Sequence, residues 1–444
     1  MSWRWQSRNE RSVARTEIMK VLVLVARGLQ AAYLGCYGNQ WIATPALDGL
    51  AAQSVVLDQH YADCPNDDAV PRVWRRGRFC YPSGAGTDDN PPFQSPDMVT
   101  LLSANNIPAV LLSAGPRAMP GDFELGWTEV VRGTSSTKDD PDSLWKAAQA
   151  AIARVRGHSH WLLWIDSLTL LPPWEIPRGF RDLYFDAGNG DLQDAEVGEE
   201  TDEAGNALVA WRGPLPERIE SSDDVLFERL RRSYAGAVSL LDEMIGRLLG
   251  YLEKRKLFEE ALIIFTADRG IPLGEHGDAG EFACELHEEL IHLPMIVRLH
   301  GRAEAGRRIA ALTQPVDLLP TILDAFDLPI PPIHGSSLLP LCRGESARIR
   351  SYACSGMRVR DSNAWSLRTP RWVLLLSPEK PGVVKTSRLY GKPDDRWEVN
   401  DLFQHHQDLA QHLEDTLRAF VDAARRPGPL EPPEIREIEG EPSH

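Results

Sequence analysis

Short runs of consecutive apolar residues recur along the chain, at Val21 to Ala26, Ala109 to Leu112, Trp161 to Ile165, Leu262 to Thr266 and Met295 to Leu299. Between them lie stretches whose apolar positions repeat at helical spacing. A strand that is apolar at every position is covered on both faces, and its alternation with helices predicts an α/β fold: a doubly wound, mostly parallel sheet with helices on both faces. The clearest helix follows Asp223, where Leu226, Leu230, Val238, Leu241, Ile245, Leu248 and Leu252 form one stripe with Arg and Glu between them. A second starts at Thr44-Pro45, a hydroxyl at the N-cap followed by proline in the first turn.

After about residue 345 the texture changes to shorter strand-like pieces, Trp365 to Arg368, Trp372 to Leu376 and Ser387 to Tyr390, followed by an amphipathic helix near 405–424. The expected layout is an α/β domain over 19–345 and a small antiparallel sheet-and-helix subdomain over 346–426. Residues 1–18 carry no periodic pattern and Met19 stands directly before the first strand, so 1–18 are read as a disordered leader. Residues 427–444 hold five Pro and five Glu and read as a disordered tail. Residues 186–222, rich in Gly, Asp and Glu, read as a long insertion or mobile loop.

With 444 residues, 43% of them hydrophobic, the chain can bury a large core. Its 48 Lys and Arg against 64 Asp and Glu give a formal charge of -16, which argues against a nucleic-acid partner, since phosphate binding needs a basic face. No apolar run reaches membrane-spanning length and no signal-peptide pattern precedes Val21, so no membrane association is expected and the cytoplasm is the expected location. The six cysteines form no Cys-x-x-Cys pair, so no disulfide framework or zinc site is indicated.

In an open parallel sheet, functional groups gather beyond the carboxyl ends of the strands. The segments to weigh with this in mind are VLVLVARGLQAAYLGCYGN, TPALDGLAAQSVVLDQHYAD, LIIFTADRGIPLGEHG, ELHEELIHLPMIVR, QPVDLLPTILDAFDLPIPPIHGSSLLPL and LYGKPDDRWEVNDL. In this order and spacing, over nearly residues 19 to 420, they resemble a sulfatase of the alkaline phosphatase superfamily. The resemblance implies a hydrolase of sulfate esters that binds a divalent cation, usually calcium, with carboxylates at two strand ends. It also implies a formylglycine or serine nucleophile in a Cys-x-Pro-x-Arg motif.

This chain departs from that pattern at most of the reacting positions. Arg27-Gly28 stands where the resemblance places a metal-binding aspartate, and Asp67-Asp68 stands near the expected nucleophile, with no Cys, Ser or Thr there. Arg72 is placed to keep the motif's arginine. Thr169-Leu170-Leu171 replaces an expected Asp-Pro-His, and Arg269 replaces the second ligand in the turn where Asp268 survives. His276 remains, and Glu281 takes the place of a lysine. Cys80 in CYPSG and Cys64-Pro65 match the nucleophile motif too poorly to replace it.

One aspartate is too few for calcium, which wants six to eight oxygens. An arginine is permanently charged and bonds carboxylates through a planar fork, so Arg27 or Arg269 is expected to bond Asp268 and Asp67 or Asp68, an internal ion pair in place of the ion. His276 is expected to make a local hydrogen bond rather than to act as a catalytic acid. The expectation is a catalytically impaired, sulfatase-like protein with no catalytic residue, cofactor or metal. It would serve as an interaction module for an unidentified protein partner, or bind an oxyanion such as sulfate among Arg27, Arg72 and Arg269. The alternative is an active sulfate or phosphate ester hydrolase using Cys80 or Asp67 as nucleophile, with calcium.

Overall fold

The computed structural model describes residues 19–82, 97–114, 123–133, 143–185, 200–201, 207–208, 210–216, 223–280, 285–377 and 387–435. The expected leader, most of the insertion at 186–222, Glu281 and residues 436–444 of the expected tail lie outside the described residues.

In chain order the strands are β1 (Lys20–Ala26), β2 (Val55–Tyr61), β3 (Ala109–Ala114), β4 (Glu129–Gly133), β5 (Trp161–Ser167), β6 (Glu200–Thr201), β7 (Ala207–Leu208), β8 (Ala261–Thr266), β9 (His292–Leu293), β10 (Met295–Arg298), β11 (Arg308–Thr313), β12 (Ala353–Val359), β13 (Ser362–Arg368), β14 (Trp372–Leu376) and β15 (Ser387–Gly391). The helices are α1 (Pro45–Ala51), α2 (Ala69–Arg76), α3 (Met98–Ala104), α4 (Ser143–Val155), α5 (Arg178–Arg181), α6 (Asp224–Lys254), α7 (Leu257–Glu260), α8 (Glu288–Ile291), α9 (Leu318–Ala325), α10 (Leu339–Cys342) and α11 (Gln407–Ala424).

The main sheet runs β11-β2-β10-β8-β1-β5-β3-β4, with β9 paired to β2. β1 is parallel to both β5 and β8, and β10 is antiparallel to β8 and β2. The fold is therefore the expected mostly parallel α/β sheet, covered on two sides. Alternation along β1 sends Leu22 and Leu24 into a core with α4 and α6, while Val21, Val23 and Val25 join a second core with α2, α3 and α9. Burial on both faces is why these strands read as unbroken apolar runs.

The C-terminal part is a meander, β12-β13-β14-β15, backed by α11, whose Leu413, Leu417 and Phe420 pack on Leu367, Leu374 and Leu389. The sequence pattern anticipated β13, β14, β15 and α11 but not β12. One local expectation is corrected. Thr44 does precede α1, but its hydroxyl accepts from Gly35 N–H at 2.9 Å and does not cap the helix. The α1 amides of Ala46 and Leu47 instead donate to Asp242 of α6, at 3.0 and 2.8 Å.

Candidate functional site: an ion-paired pocket at the strand ends

Three neighbouring strands end together. Val25 of β1 is level with Asp166 of β5 and with Thr266 of β8. Continuing the two-residue alternation, Arg27 falls on the side of Val21, Val23 and Val25, and Asp166 on that of Leu162 and Trp164, so both point to the face that carries α2. Arg27 Nε donates to Asp166 Oδ1 at 2.9 Å, with side-chain exposures of 3% and 0%. The Arg27 backbone N–H also bonds Ser167 O at 3.0 Å, which fixes where the side chain starts.

Asp268 follows β8 and is buried. Its Oδ1 accepts two backbone N–H groups, from Gly28 at 2.9 Å and Arg269 at 2.7 Å. Gly28 can present its amide this way because it sits at φ +80°, a conformation unfavourable for residues with a Cβ. Gly270 is required for another reason: a Cβ there would stand 1.9 Å from the carbonyl oxygen of Glu289. Arg269 is itself buried, and its Nη1 meets Asp67 Oδ1 at 2.7 Å. Asp67 lies just before α2 and its side chain is 37% exposed.

The expected ion pair is thus present but differently partnered. Arg269 takes Asp67, as anticipated. Arg27 takes Asp166, which sequence reasoning missed, and neither guanidinium hydrogen-bonds Asp268, whose partners are backbone amides. Asp68 is exposed and has no part in the pairs; its N–H donates to Asn66 Oδ1. Arg72 is half-buried on α2. The signal for Asp166 was available as a lone carboxylate in the apolar run WLLWIDS, where a charge is affordable only beside a counter-charge.

Burial pushes the Asp166 carboxyl up to about 6 against the pull of Arg27. Burial disfavours the charged form of Arg27, yet Asp166 first, then Asp268 and Asp67, hold its pKa above the ordinary arginine value. Among the described residues, Oδ2 of Asp166 and Oδ2 of Asp268 are buried without a hydrogen-bond partner. A divalent cation does not fit this donor set: two of the three carboxylates are salt-bridged to guanidinium groups, and a guanidinium projects among them where a hard cation would need oxygens. Among the described residues no three His, Cys, Asp or Glu side chains are grouped to hold a metal.

His276 lies apart from these pairs in its contacts. Its Nδ1 meets Glu289 at 2.7 Å, its Nε2 meets Trp397 O at 3.1 Å, and its ring stacks on His287 at 3.7 Å. Burial lowers its pKa, but Glu289 outweighs burial and the net shift is upward. Cys80 is half-buried beyond α2, against the core of the C-terminal sheet, and Cys64 is buried with its thiol pushed well above the ordinary range by burial. Cys36, Cys64, Cys80, Cys342 and Cys354 are free thiols.

The Sulfatase family model matches residues 172–328, and the model for the N-sulphoglucosamine sulphohydrolase C-terminal region matches 274–423. Asp268, Arg269 and His276 fall inside these matches; Arg27, Asp67, Asp68, Arg72 and Asp166 fall outside them. An N-acetylglucosamine-6-O-sulfatase of Bacteroides thetaiotaomicron is 34% identical over 142 residues, covering 32% of this chain and 23% of the relative. The iduronate 2-sulfatase of Homo sapiens is 29% identical over 184 residues, covering 40% of this chain and 31% of the relative. The matched part therefore spans less than a third of either curated relative. The phosphonate monoester hydrolase of Agrobacterium radiobacter superposes with a TM-score of 0.68 at 18% identity, covering 91% of this chain and 96% of that one, which shows a common fold. The chain belongs to the sulfatase family, on an alkaline-phosphatase-like fold.

Proposed function

We propose that this chain is a sulfatase-family protein that does not turn over sulfate esters and that works as an oxyanion-binding or interaction module. The observation that carries this reading is the pairing of Arg27 with Asp166 and of Arg269 with Asp67, which commits both guanidinium groups to internal partners at the end of the strands. Transition-state stabilisation in ester hydrolysis needs positive charge free to act on the developing charge of the reacting group, together with an activated nucleophile. Arg27 is already spent on a carboxylate, and Asp67 and Asp68 stand where the resemblance places the nucleophile. Loss of catalytic groups that act as a unit lowers rates on the order of a millionfold, while binding can persist. Arg72, half-buried on α2, is the guanidinium best placed in sequence to meet an anion beside Asp67. Among the described residues, the five free thiols and the lack of a helix able to cross a membrane are compatible with a reducing cytoplasmic setting.

A second reading has one observation in its favour. Asp67 is 37% exposed and neighbours a guanidinium, so its carboxylate is accessible as a nucleophile in the manner of aspartyl-enzyme chemistry. Release of nitrophenol from nitrophenyl sulfate and nitrophenyl phosphate, with and without calcium or manganese, separates the two. The expected result is no turnover above that of an Asp268→Ala control. Turnover lost in both Asp268→Ala and Asp67→Asn overturns the non-hydrolytic reading in favour of the carboxylate nucleophile.

A further inference from the structure

A groove on the C-terminal subdomain shares no residue with the strand-end pairs and goes beyond the reading above. It lies between β13 and β14 of the meander and the last turns of α11, with a volume of about 370 Å³. Its floor is apolar: Trp365 and Leu376, level with each other across the strand pair, with Leu417 and Val421 of α11. That volume is in the range of small-molecule sites. Two features build the floor. Gly356 of β12 is level with Trp365, and a Cβ there would stand 2.3 Å from the indole, so the glycine lets the ring lie over the strands. The second is Cys80-Tyr81-Pro82, the weak match to a nucleophile motif. Tyr81 sets its ring edge-on to Trp365 with centroids 5.7 Å apart, and Pro82 O accepts from Arg425 Nη2 at 2.8 Å. This stretch therefore supports the groove.

The rim is charged, because α11 carries Glu414, Arg418, Asp422 and Arg425 at helical spacing. Glu414 holds Arg418 through two bonds, at 2.9 and 2.7 Å. Arg425 is held differently. Its Nη1 is 3.9 Å from Asp422, beyond hydrogen-bond length, and its side chain is 43% exposed, so this edge of the guanidinium can take an anion beside the apolar floor. We propose that the groove binds a small amphipathic carboxylate, its flat aromatic body against Trp365, Leu376, Leu417 and Val421 and its carboxylate on Arg425. An indole favours an aromatic partner, stacked or edge-on, and a guanidinium bonds a carboxylate through charge-assisted N–H groups. From Leu417 to Arg425 the helix advances about 12 Å, the length of a two-ring body with its acid group. Asp422 stands next to Arg425 and opposes the anion.

The test is calorimetric titration of full-length protein with naphthylacetate and with its neutral counterpart naphthylacetamide. The parent is expected to bind one naphthylacetate with a Kd on the order of 0.1 mM, and the amide about tenfold more weakly. Arg425→Gln is expected to weaken naphthylacetate about tenfold and to leave the amide unchanged, whereas Asp422→Asn, which removes the opposing charge, is expected to tighten naphthylacetate about threefold. Arg72→Gln, at the strand-end pocket, is expected to change neither. No saturable binding by the parent at millimolar naphthylacetate overturns the proposal, as does equal affinity for acid and amide. Should Arg425→Gln fail to fold, Asp422→Asn decides, and an affinity unchanged or weakened there overturns the assignment of the carboxylate to Arg425. Binding lost in Arg72→Gln but kept in Arg425→Gln places the anion at the strand ends, which overturns this proposal and supports the oxyanion reading above. Ester turnover refutes the non-hydrolytic reading without moving these titrations, so the two failures are distinguishable.

Discussion

Asp166 and Asp268 are both buried at neighbouring strand ends, yet different partners hold them, and that difference sets what each substitution does. Asp166 is held by a side chain. Asp166→Ala removes the carboxylate that Arg27 Nε bonds, from beside a guanidinium that is 3% exposed, and the expected cost is about 3 kcal/mol in urea unfolding, well above the ~1 kcal/mol centre of ordinary substitutions. Asp268 is held by amides. Asp268→Ala leaves the Gly28 and Arg269 N–H groups without their acceptor, an expected loss of about 2–4 kcal/mol at the desolvation cost of one to two buried donors. Equal stability of either variant and the parent would remove the energetic basis assigned to that residue. The Asp67–Arg269 pair is more exposed, so Asp67→Asn is expected to change stability by less than about 1 kcal/mol.

The start of α1 shows how far an element depends on its neighbours. Its first-turn amides are satisfied by Asp242, which reaches across from the long helix α6 and is nearly buried. Burial pushes the Asp242 carboxyl up to about 6, with the two amides of Ala46 and Leu47 pulling it back down. α6 itself is capped locally, Asp223 accepting from Leu226 N–H at 3.0 Å. Removing a local cap costs typically about 1 kcal/mol. Asp242→Ala removes a cap and a helix-to-helix tie together, and its expected cost is about 2–3 kcal/mol, against about 1 kcal/mol for Asp223→Ala. Chemical unfolding of the two variants side by side checks the order, and a costlier Asp223→Ala would contradict it.

The two sheets are fastened by a charged clasp. His287 donates to Glu398 at 2.7 Å and Glu285 at 3.0 Å, and Arg368 of β13 pairs with Glu288 at 2.7 Å and Glu398 at 2.8 Å. Lys392 adds contacts to Glu288 and Glu398, at 3.1 and 3.3 Å, and Arg388 and Ser377 hold Glu285. Burial lowers the His287 pKa, but Glu285 and Glu398 outweigh it and raise the value to about 9. A histidine raised above its unfolded value near 6.5 binds its proton more tightly in the folded state. Its contribution is therefore complete below about pH 6.5 and is lost as pH rises through about 9, a span worth about 3 kcal/mol. Stability of the parent is expected to fall between these limits, and His287→Gln to flatten that slope. An unchanged slope in the variant would show that His287 does not couple pH to the clasp. Tyr61, at the end of β2, lies under the Arg368 guanidinium at 4.9 Å, so the clasp also reaches the strand that leads to Asp67.

The apolar runs, the helical stripe after Asp223 and the ordered series of motifs were sufficient to specify a mostly parallel α/β sheet, the C-terminal meander and the family. Each of these depends on periodicity or on residues close in the chain, which a linear reading preserves. The substitution of arginine at two expected ligand positions was legible in the same way. Which carboxylate each arginine meets was not. Arg27 and Asp166, 139 residues apart, are brought together by the parallel pairing of β1 with β5, and Asp242 reaches α1, and Glu398 reaches His287, over chain distances of the same order. Pairing of charges follows from which side chains share one buried space, and that is decided by the packing of strands and helices, because a charge removed from water must find its partner in three dimensions.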